Sequence, residues 1–125
     1  MKRFMLLLLA TTVLFGGCVS RVDSLTSQGY RELAGEELRT LVSGKQVDAG
    51  RWKDVYTADG RMSGISPGGS YTGTWQIRPD GRLCIDSANQ YINGCTRVFL
   101  QETSGSIVWI EADYSDYSVT ITPAI

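Results

Sequence analysis

SYTGTWQIRPDGRLCIDSANQYINGC, residues Ser70–Cys95, is the stretch of this 125-residue chain that decides its fold. From Tyr71 to Ile77, apolar or small residues occupy every second position, which is the pattern of a strand with one buried face. Residues 78–82 (RPDGR) predict a tight hairpin turn, because proline presets φ, aspartate bonds its own backbone and glycine accepts a positive φ. A second strand is expected at Leu83–Ile85, and a third strand begins at Cys95.

The first 17 residues have the composition of an export signal. Lys2 and Arg3 precede an apolar run, Phe4 to Phe15, which is too short to span about 30 Å of hydrocarbon as a helix. The residues Leu14-Phe15-Gly16-Gly17-Cys18 resemble the lipobox of bacterial lipoproteins, although Phe15 stands where Leu or a smaller aliphatic residue is usual. This resemblance implies cleavage before Cys18 and acylation of that cysteine, for example with palmitate. Val19, in place of Asp, favours the outer membrane of a Gram-negative cell, with the domain facing the periplasm.

The three cysteines are consistent with export. If Cys18 carries lipid, Cys84 and Cys95 remain as an even pair in an oxidising compartment, where disulfides persist. A bond between them closes a loop of about twelve residues, and the chain-entropy model assigns such a loop about 3 kcal/mol.

The chain is expected to divide into a signal peptide (1–17), a lipidated cysteine with its tether (18–29) and one β-barrel domain (30–125). The polar tether should behave as a flexible chain that spans about 20 Å. Tyr30–Val42 has helical spacing of its apolar residues, and the helix is most strongly indicated over Glu36–Ser43.

Beyond residue 47 the sequence predicts about seven strands at the spacing of an all-β fold. The strands are expected at Trp52–Thr57, Arg61–Ile65, Tyr71–Ile77, Leu83–Ile85, Cys95–Gln101, Ser106–Ala112 and Tyr117–Thr122. Because the connections are short hairpins, the fold class is mainly β: a small antiparallel up-and-down β-barrel or meander with one short N-terminal helix.

Composition excludes several functions. The chain has no histidine, so Ser–His or Cys–His nucleophile pairs and His-ligated zinc are excluded. After loss of Lys2 and Arg3, 10 basic and 13 acidic side chains remain. No basic stripe is present, so nucleic acid is a poor partner. We therefore expect no catalytic residues, no cofactor, no metal and no nucleic acid.

Carboxylates are the remaining candidates for chemistry. Asp54 with Asp59, or Asp80 with Asp86, has the residue types of a glycosidase-like pair, but roles in turns and at strand edges explain them better. Three further acidic residues cluster at one turn, where Ca²⁺ binding is one interpretation and an acidic hairpin tip is the better one. These residues are Glu111, Asp113 and Asp116.

Two features of the sequence could serve a binding role: the aromatic residues on the predicted strands and one loop. Most aromatic residues on the predicted strands should pack in the core, although small barrels can keep a cavity with aromatic walls for one small ligand. Ser66-Pro67-Gly68-Gly69-Ser70 is the longest stretch without bulky side chains, and loops on a rigid scaffold often bind partners. It is the candidate binding loop.

Four runs carry a resemblance to a family: Leu38…Leu41-Val42-Ser43-Gly44-Lys45, Tyr56…Asp59-Gly60, Gly73-Thr74-Trp75, and Asp80-Gly81-Arg82-Leu83-Cys84 with a later Cys95. Together they resemble a group of small exported proteobacterial proteins of unknown function, over roughly residues 36–100. The resemblance implies a fold but no mechanism. The general plan is also similar to small barrel-type periplasmic inhibitors of lysozyme or of proteases, which implies an inhibitory role without assigning it any residue here.

The leading hypothesis is a lipid-anchored, non-catalytic binding module for a periplasmic protein or cell-wall partner, with enzyme inhibition as one version. A lipocalin-like small-ligand carrier is the alternative, and close packing of Trp75 and Trp109 without a void would exclude it. An enzyme that uses paired carboxylates, and an envelope structural component without a discrete site, are the other two hypotheses.

Overall fold

The computed structural model describes residues 20–89 and 92–124 and contains two helices and nine strands in that part of the chain. The helices are α1 (Arg21–Ser27) and α2 (Gly35–Val42). The strands are β1 (Tyr30–Leu33), β2 (Lys45–Asp48), β3 (Lys53–Tyr56), β4 (Arg61–Ser66), β5 (Gly69–Ile77), β6 (Leu83–Ser87), β7 (Gly94–Gln101), β8 (Ser106–Ile110) and β9 (Asp116–Pro123). The signal peptide and Cys18 lie outside the described residues.

The strands β2 to β9 form a closed antiparallel barrel in which each strand pairs with the next one along the chain. Pairing of β9 with β2 closes the ring of eight, and β1 adds to β7 beyond the end of β6. The prediction of a mainly β, up-and-down barrel is confirmed. The sequence predicted about seven strands, whereas the ring has eight. The strand β2 was missed because its four residues are too few to show a clear alternation of apolar and polar side chains.

The two ends of the barrel differ. At one end, the turns at 57–60, 78–82 and 102–105 gather together with α2, and we call this the closed end. Leu38 and Val42 of α2 are fully buried in the main core, and the Gly35 amide donates to the Gly81 carbonyl at 2.9 Å. The Arg39 guanidinium lies 5.9 Å from the ring centre of Trp75. We call the opposite end the mouth; it is formed by the β2–β3, β4–β5, β6–β7 and β8–β9 connections.

A disulfide joins Cys84 and Cys95, as the cysteine count predicted. The two residues face each other directly in the pairing of β6 with β7. The bond therefore lies in the barrel wall and links neighbouring strands covalently.

The prediction of a flexible tether up to residue 29 is wrong, because α1 folds onto the outside of the barrel. Ser20 begins the helix, and its hydroxyl accepts from the Asp23 amide at 3.2 Å. Leu25 is fully buried in a second cluster with Phe99, Val108 and Ile110, which point outward from β7 and β8. Burial of this apolar patch orders a segment whose own composition favours a coil.

Tyr30–Leu33 also differs from the prediction, since it forms β1 and not the start of a helix. Its four residues pair with Val98–Gln101 of β7. Glu32 pairs with Arg97 across this edge at 2.5 Å. The positive φ of Gly35, 61°, separates β1 from α2. The residues before this glycine have helical spacing in the sequence, but they do not belong to the helix. In the described residues, no helix is long and apolar enough to cross a membrane.

Replacement of Leu25 tests whether α1 is part of the folded domain. We expect Leu25→Ala to lower the free energy of unfolding by about 2–5 kcal/mol, because it leaves a cavity among three buried apolar side chains. Urea denaturation measures this difference. The exposed neighbour gives the control Thr26→Ala, which should change stability by less than about 0.5 kcal/mol. Equal stability of the two variants would show that the segment is a tether after all.

Candidate ligand-binding cavity

A cavity of about 780 Å³ opens at the mouth and extends into the barrel. Its walls are inward-facing side chains near the mouth ends of four strands, and its rim comes from the connections between them. The wall residues include Trp52, Asp54, Tyr71, Ile85, Glu111 and Tyr117. Since α2 fills the other end, the cavity opens at the mouth.

Asp54 is the centre of the polar part of this cavity. Its side chain points inward from β3 and is 5% exposed, which is unusual for a carboxylate. The Tyr56 hydroxyl donates to Asp54 Oδ2 at 2.9 Å, and the Tyr71 hydroxyl donates to Oδ1. Burial raises the pKa of Asp54, while the hydrogen bonds from Tyr71 and Tyr56 act in the opposite direction.

The two tyrosines are donors at any physiological pH. Burial, together with the Asp54 carboxylate, raises the pKa of both phenols above the ordinary value of 10.0. Each hydroxyl therefore keeps its proton and directs it at Asp54. This pairing fixes the orientation of the carboxylate inside the barrel.

Gly64 makes room for this group. In the strand pairing, Asp54 lies opposite Gly64, and Gly64 lies opposite Tyr71, so the three residues form one row across the inner wall. A β-carbon at Gly64 would overlap the Tyr71 ring and the Asp54 carboxylate. The absence of a side chain there lets the tyrosine cross above β4 and reach the aspartate.

Glu111 is the second carboxylate in the cavity. It follows Trp109 by two residues, so it continues the inward-facing set of β8 just beyond the end of that strand. Burial raises the pKa of Glu111 to about 7, and repulsion from the Asp54 and Asp113 carboxylates adds to the effect. The Thr96 hydroxyl donates to Glu111 Oε2 over a long distance of 3.5 Å.

Aromatic rings line the cavity and continue below it. Trp52 meets Tyr117 edge to face with ring centres 5.5 Å apart, and it meets Trp109 at 6.0 Å. Deeper in the barrel, Tyr56 contacts Trp75 at 5.9 Å and Trp109 at 6.1 Å. Trp75 and Trp109 are thus core residues below the cavity, but the space nearer the mouth is not filled.

The predicted binding loop lies at the rim of this cavity, but it is a tight turn. Ser66 ends β4 and Gly69 begins β5, and these two residues pair, so only Pro67 and Gly68 lie between the strands. Ser70 belongs to β5. Ser66, Pro67 and Gly68 line the cavity entrance.

The structure separates the carboxylates that the sequence suggested as partners. Asp59 lies in a turn at the closed end, where it pairs with Arg61, whereas Asp54 lies inside the barrel. Asp80 accepts from the Arg82 amide at 3.0 Å within the β5–β6 turn, and Asp86 is exposed on the outer face of β6.

The acidic turn also divides. Asp113 accepts from the Ser115 amide, Asp116 pairs with Arg21 on the outside, and Glu111 enters the cavity. In residues 20–89 and 92–124, no group of three or more acidic or cysteine side chains has the geometry of a metal site.

Sequence reasoning did not bring Asp54, Tyr71 and Glu111 together. A usable signal was present in each case, because all three occupy inward positions of strands whose other inward residues are apolar. Asp54 lies between Trp52 and Tyr56, and Glu111 follows Ile107 and Trp109 at spacings of two. A carboxylate at a core position is the informative exception.

The raised pKa of Glu111 predicts that mild acid stabilises the fold. Between its unfolded pKa of 4.5 and about 7, the folded state holds a proton that the unfolded chain has lost. The free energy of unfolding should therefore fall by about 2–3 kcal/mol as pH rises from 5 to 8. Asp54 contributes in the same direction. Thermal melts across that range measure the slope.

Glu111→Gln should remove most of this slope, because the amide does not titrate. Asp86→Asn changes an exposed carboxylate on the outer face of β6 and should keep the wild-type slope. A Glu111→Gln variant with an unchanged slope would contradict the assignment.

Comparison with known proteins adds no relative. No family model matches the chain, no curated protein matches it, and no solved structure matches it.

Proposed function

We propose that this protein is a non-catalytic binding protein that holds a small ligand in the barrel cavity, in the manner of a lipocalin-type carrier. The observation that carries the proposal is a barrel with one end filled by α2 and the other open to a cavity of about 780 Å³. That volume falls in the range of about 300–1,000 Å³ that small-molecule sites occupy. A barrel whose interior is filled by close-packed side chains has no such space.

The charges in the cavity favour a small organic cation. Asp54, Glu111 and Asp113 line it, against the single guanidinium of Arg51 at the rim. None of the ion pairs in the described part of the chain includes Asp54 or Glu111. A bound ammonium group would compensate both desolvated carboxylates, which makes a protonated amine the ligand that gains most from this site.

The aromatic wall favours a cation with an apolar body. Trp52 and Tyr117 present their rings to the same cavity as the two carboxylates. Rings in this arrangement attract a cation by about 0.5–2 kcal/mol and bury apolar surface as well. Ile85 and Ile92 extend the apolar part of the wall.

The N-terminal sequence supports a proposal for the location of the protein. We propose export, cleavage before Cys18 and lipid attachment at that residue, with the barrel held at the outer membrane and facing the periplasm. The Cys84–Cys95 disulfide supports an oxidising compartment. More than one acyl chain on Cys18 gives stable anchoring, since a single chain binds only reversibly.

A protein partner, including an enzyme that this domain inhibits, is the second candidate. It is favoured by the position of the Ser66–Gly69 turn, which projects at the rim where a partner could contact it. Under this proposal the cavity would stay empty when the rim is occupied. Failure of phenethylamine to bind in the titration described next would favour it.

Matched ligands test the proposed site. Phenethylamine, which is protonated at pH 8, is compared with neutral 2-phenylethanol and with anionic 3-phenylpropionate by isothermal titration calorimetry. We expect the amine to bind at least about tenfold more tightly than the alcohol, because it alone pairs with the carboxylates. The acid should not bind.

The variants identify where the amine binds. Glu111→Gln and Asp54→Asn should each weaken amine binding at least about tenfold while the affinity for 2-phenylethanol stays the same. Asp86→Asn, on the outer wall, should leave the affinity for the amine unchanged. Binding of the alcohol as tightly as the amine, or an equal loss in Asp86→Asn, would contradict the cation site.

Lipid attachment is tested separately in cells. We expect labelled palmitate to enter the wild-type protein and the protein to fractionate with the outer membrane on a sucrose gradient. Cys18→Ser should lose the label, because the acylated atom is the cysteine sulfur. A labelled Cys18→Ser variant, or an unlabelled wild type, would exclude the anchor.

A further inference from the structure

The first turn of α1 lies beside the mouth of the cavity. Arg21 Nε donates to Asp116 Oδ2 at 2.6 Å. Asp116 is the first residue of β9 and pairs with Ile110, the last residue of β8, so it sits where the β8–β9 connection completes the mouth. The chain therefore enters the described domain at the mouth end of the barrel.

The last turn of α1 lies near the closed end. Gln101 Nε2 donates to the Gln28 carbonyl at 2.7 Å. Gln101 ends β7 and pairs with Ser106, at the turn that belongs to the closed end. Two contacts at opposite ends of the same helix thus fix its direction, which runs from the mouth to the closed end along the outer wall.

Burial of Leu25 keeps the helix in this place. The side chain is fully buried between Phe99, Val108 and Ile110, which project from the outer face of β7 and β8. The docked helix gives Ser20 a fixed position on the outside of the barrel. Only Val19 separates Cys18 from Ser20, and two Cα-to-Cα steps span at most about 7 Å.

The rim carries the large apolar side chains that the barrel leaves in water. Among the described residues these are Tyr114, 87% exposed in the β8–β9 turn, and Ile65, 56% exposed near the end of β4. Tyr114 has a φ of 69°, a left-handed conformation that side chains other than glycine rarely adopt. Both side chains lie at the mouth, and tyrosine is a residue that favours the membrane–water interface.

A basic side chain accompanies them. The Arg51 guanidinium lies at the rim, is exposed and takes part in no ion pair among residues 20–89 and 92–124. Together with Ile65 it borders a shallow groove on the outer side of the rim. A guanidinium beside an apolar side chain suits contact with lipid phosphate groups.

We propose that the mouth of the cavity faces the bilayer, so that the ligand exchanges with the membrane surface and the closed end points into the aqueous compartment. The inference rests on the lipid anchor of the proposed function and on no property of the ligand. An anchor within about 7 Å of Ser20 holds the mouth end of the wall at the lipid headgroups. Tyr114, Ile65 and Arg51 are then the side chains that contact the membrane.

Spin labels measure which end is near the membrane. The mature lipoprotein, purified from cells, is reconstituted in vesicles of phosphatidylethanolamine and phosphatidylglycerol. One nitroxide is placed at Tyr114→Cys and, as the matched control, one at Thr103→Cys in the exposed turn of the closed end. Power saturation then compares the access of oxygen, which concentrates in lipid, with that of a water-soluble nickel chelate.

We expect the oxygen-to-nickel access ratio to be several-fold higher at position 114 than at position 103. Equal aqueous access at both positions, or a higher ratio at 103, would overturn the proposed orientation. Melting curves of both labelled proteins check that they fold, and Ile65→Cys gives a second mouth position whose ratio should follow that at 114.

The spin-label comparison can contradict the proposed orientation without contradicting the proposed function. Loss of palmitate labelling would remove the anchor and the orientation together. Retained labelling with equal access at the two ends would overturn the orientation alone, and the amine titration is unaffected by either result.

Discussion

The pairing of β2 with β9 is the contact on which the rest of the structure depends. It joins residues far apart in sequence, such as Val47 and Ile121, and it converts a meander of hairpins into a ring without free edges. Closure also defines an inside, which collects the aromatic core and leaves space near one end. Because α2 immediately precedes β2, closing the ring places that helix across the end opposite the cavity mouth.

The inner wall combines a packed core with a polar group that a core does not need. Asp54 is desolvated and held by two tyrosine hydroxyls, and Glu111 lies in the same cavity with a raised pKa. Apolar side chains of similar volume at these positions would be equally compatible with a closed barrel and easier to bury. The two carboxylates are therefore the groups on which the proposed binding site depends.

Much of the fold could be predicted, because alternation along β5 and the Asp80-Gly81 turn are local signals. The helix α1 was missed because its seven residues have a single deeply buried anchor, Leu25, and its stability comes from distant strands. A signal for it lay in β8, where consecutive apolar residues from Ile107 to Ile110 require cover on both faces. The site was missed for a related reason: Asp54 and Glu111 meet only once the ring is closed.

The position of the disulfide has a consequence for how the barrel opens. In the described part of the chain, β6 and β7 pair over only three residue positions, fewer than any other neighbouring strands of the ring, and Cys84–Cys95 is the middle pair. Local unfolding would begin at such a short seam if hydrogen bonds alone held it. Because the covalent link keeps these two strands together, we expect the barrel to open first between another pair of strands.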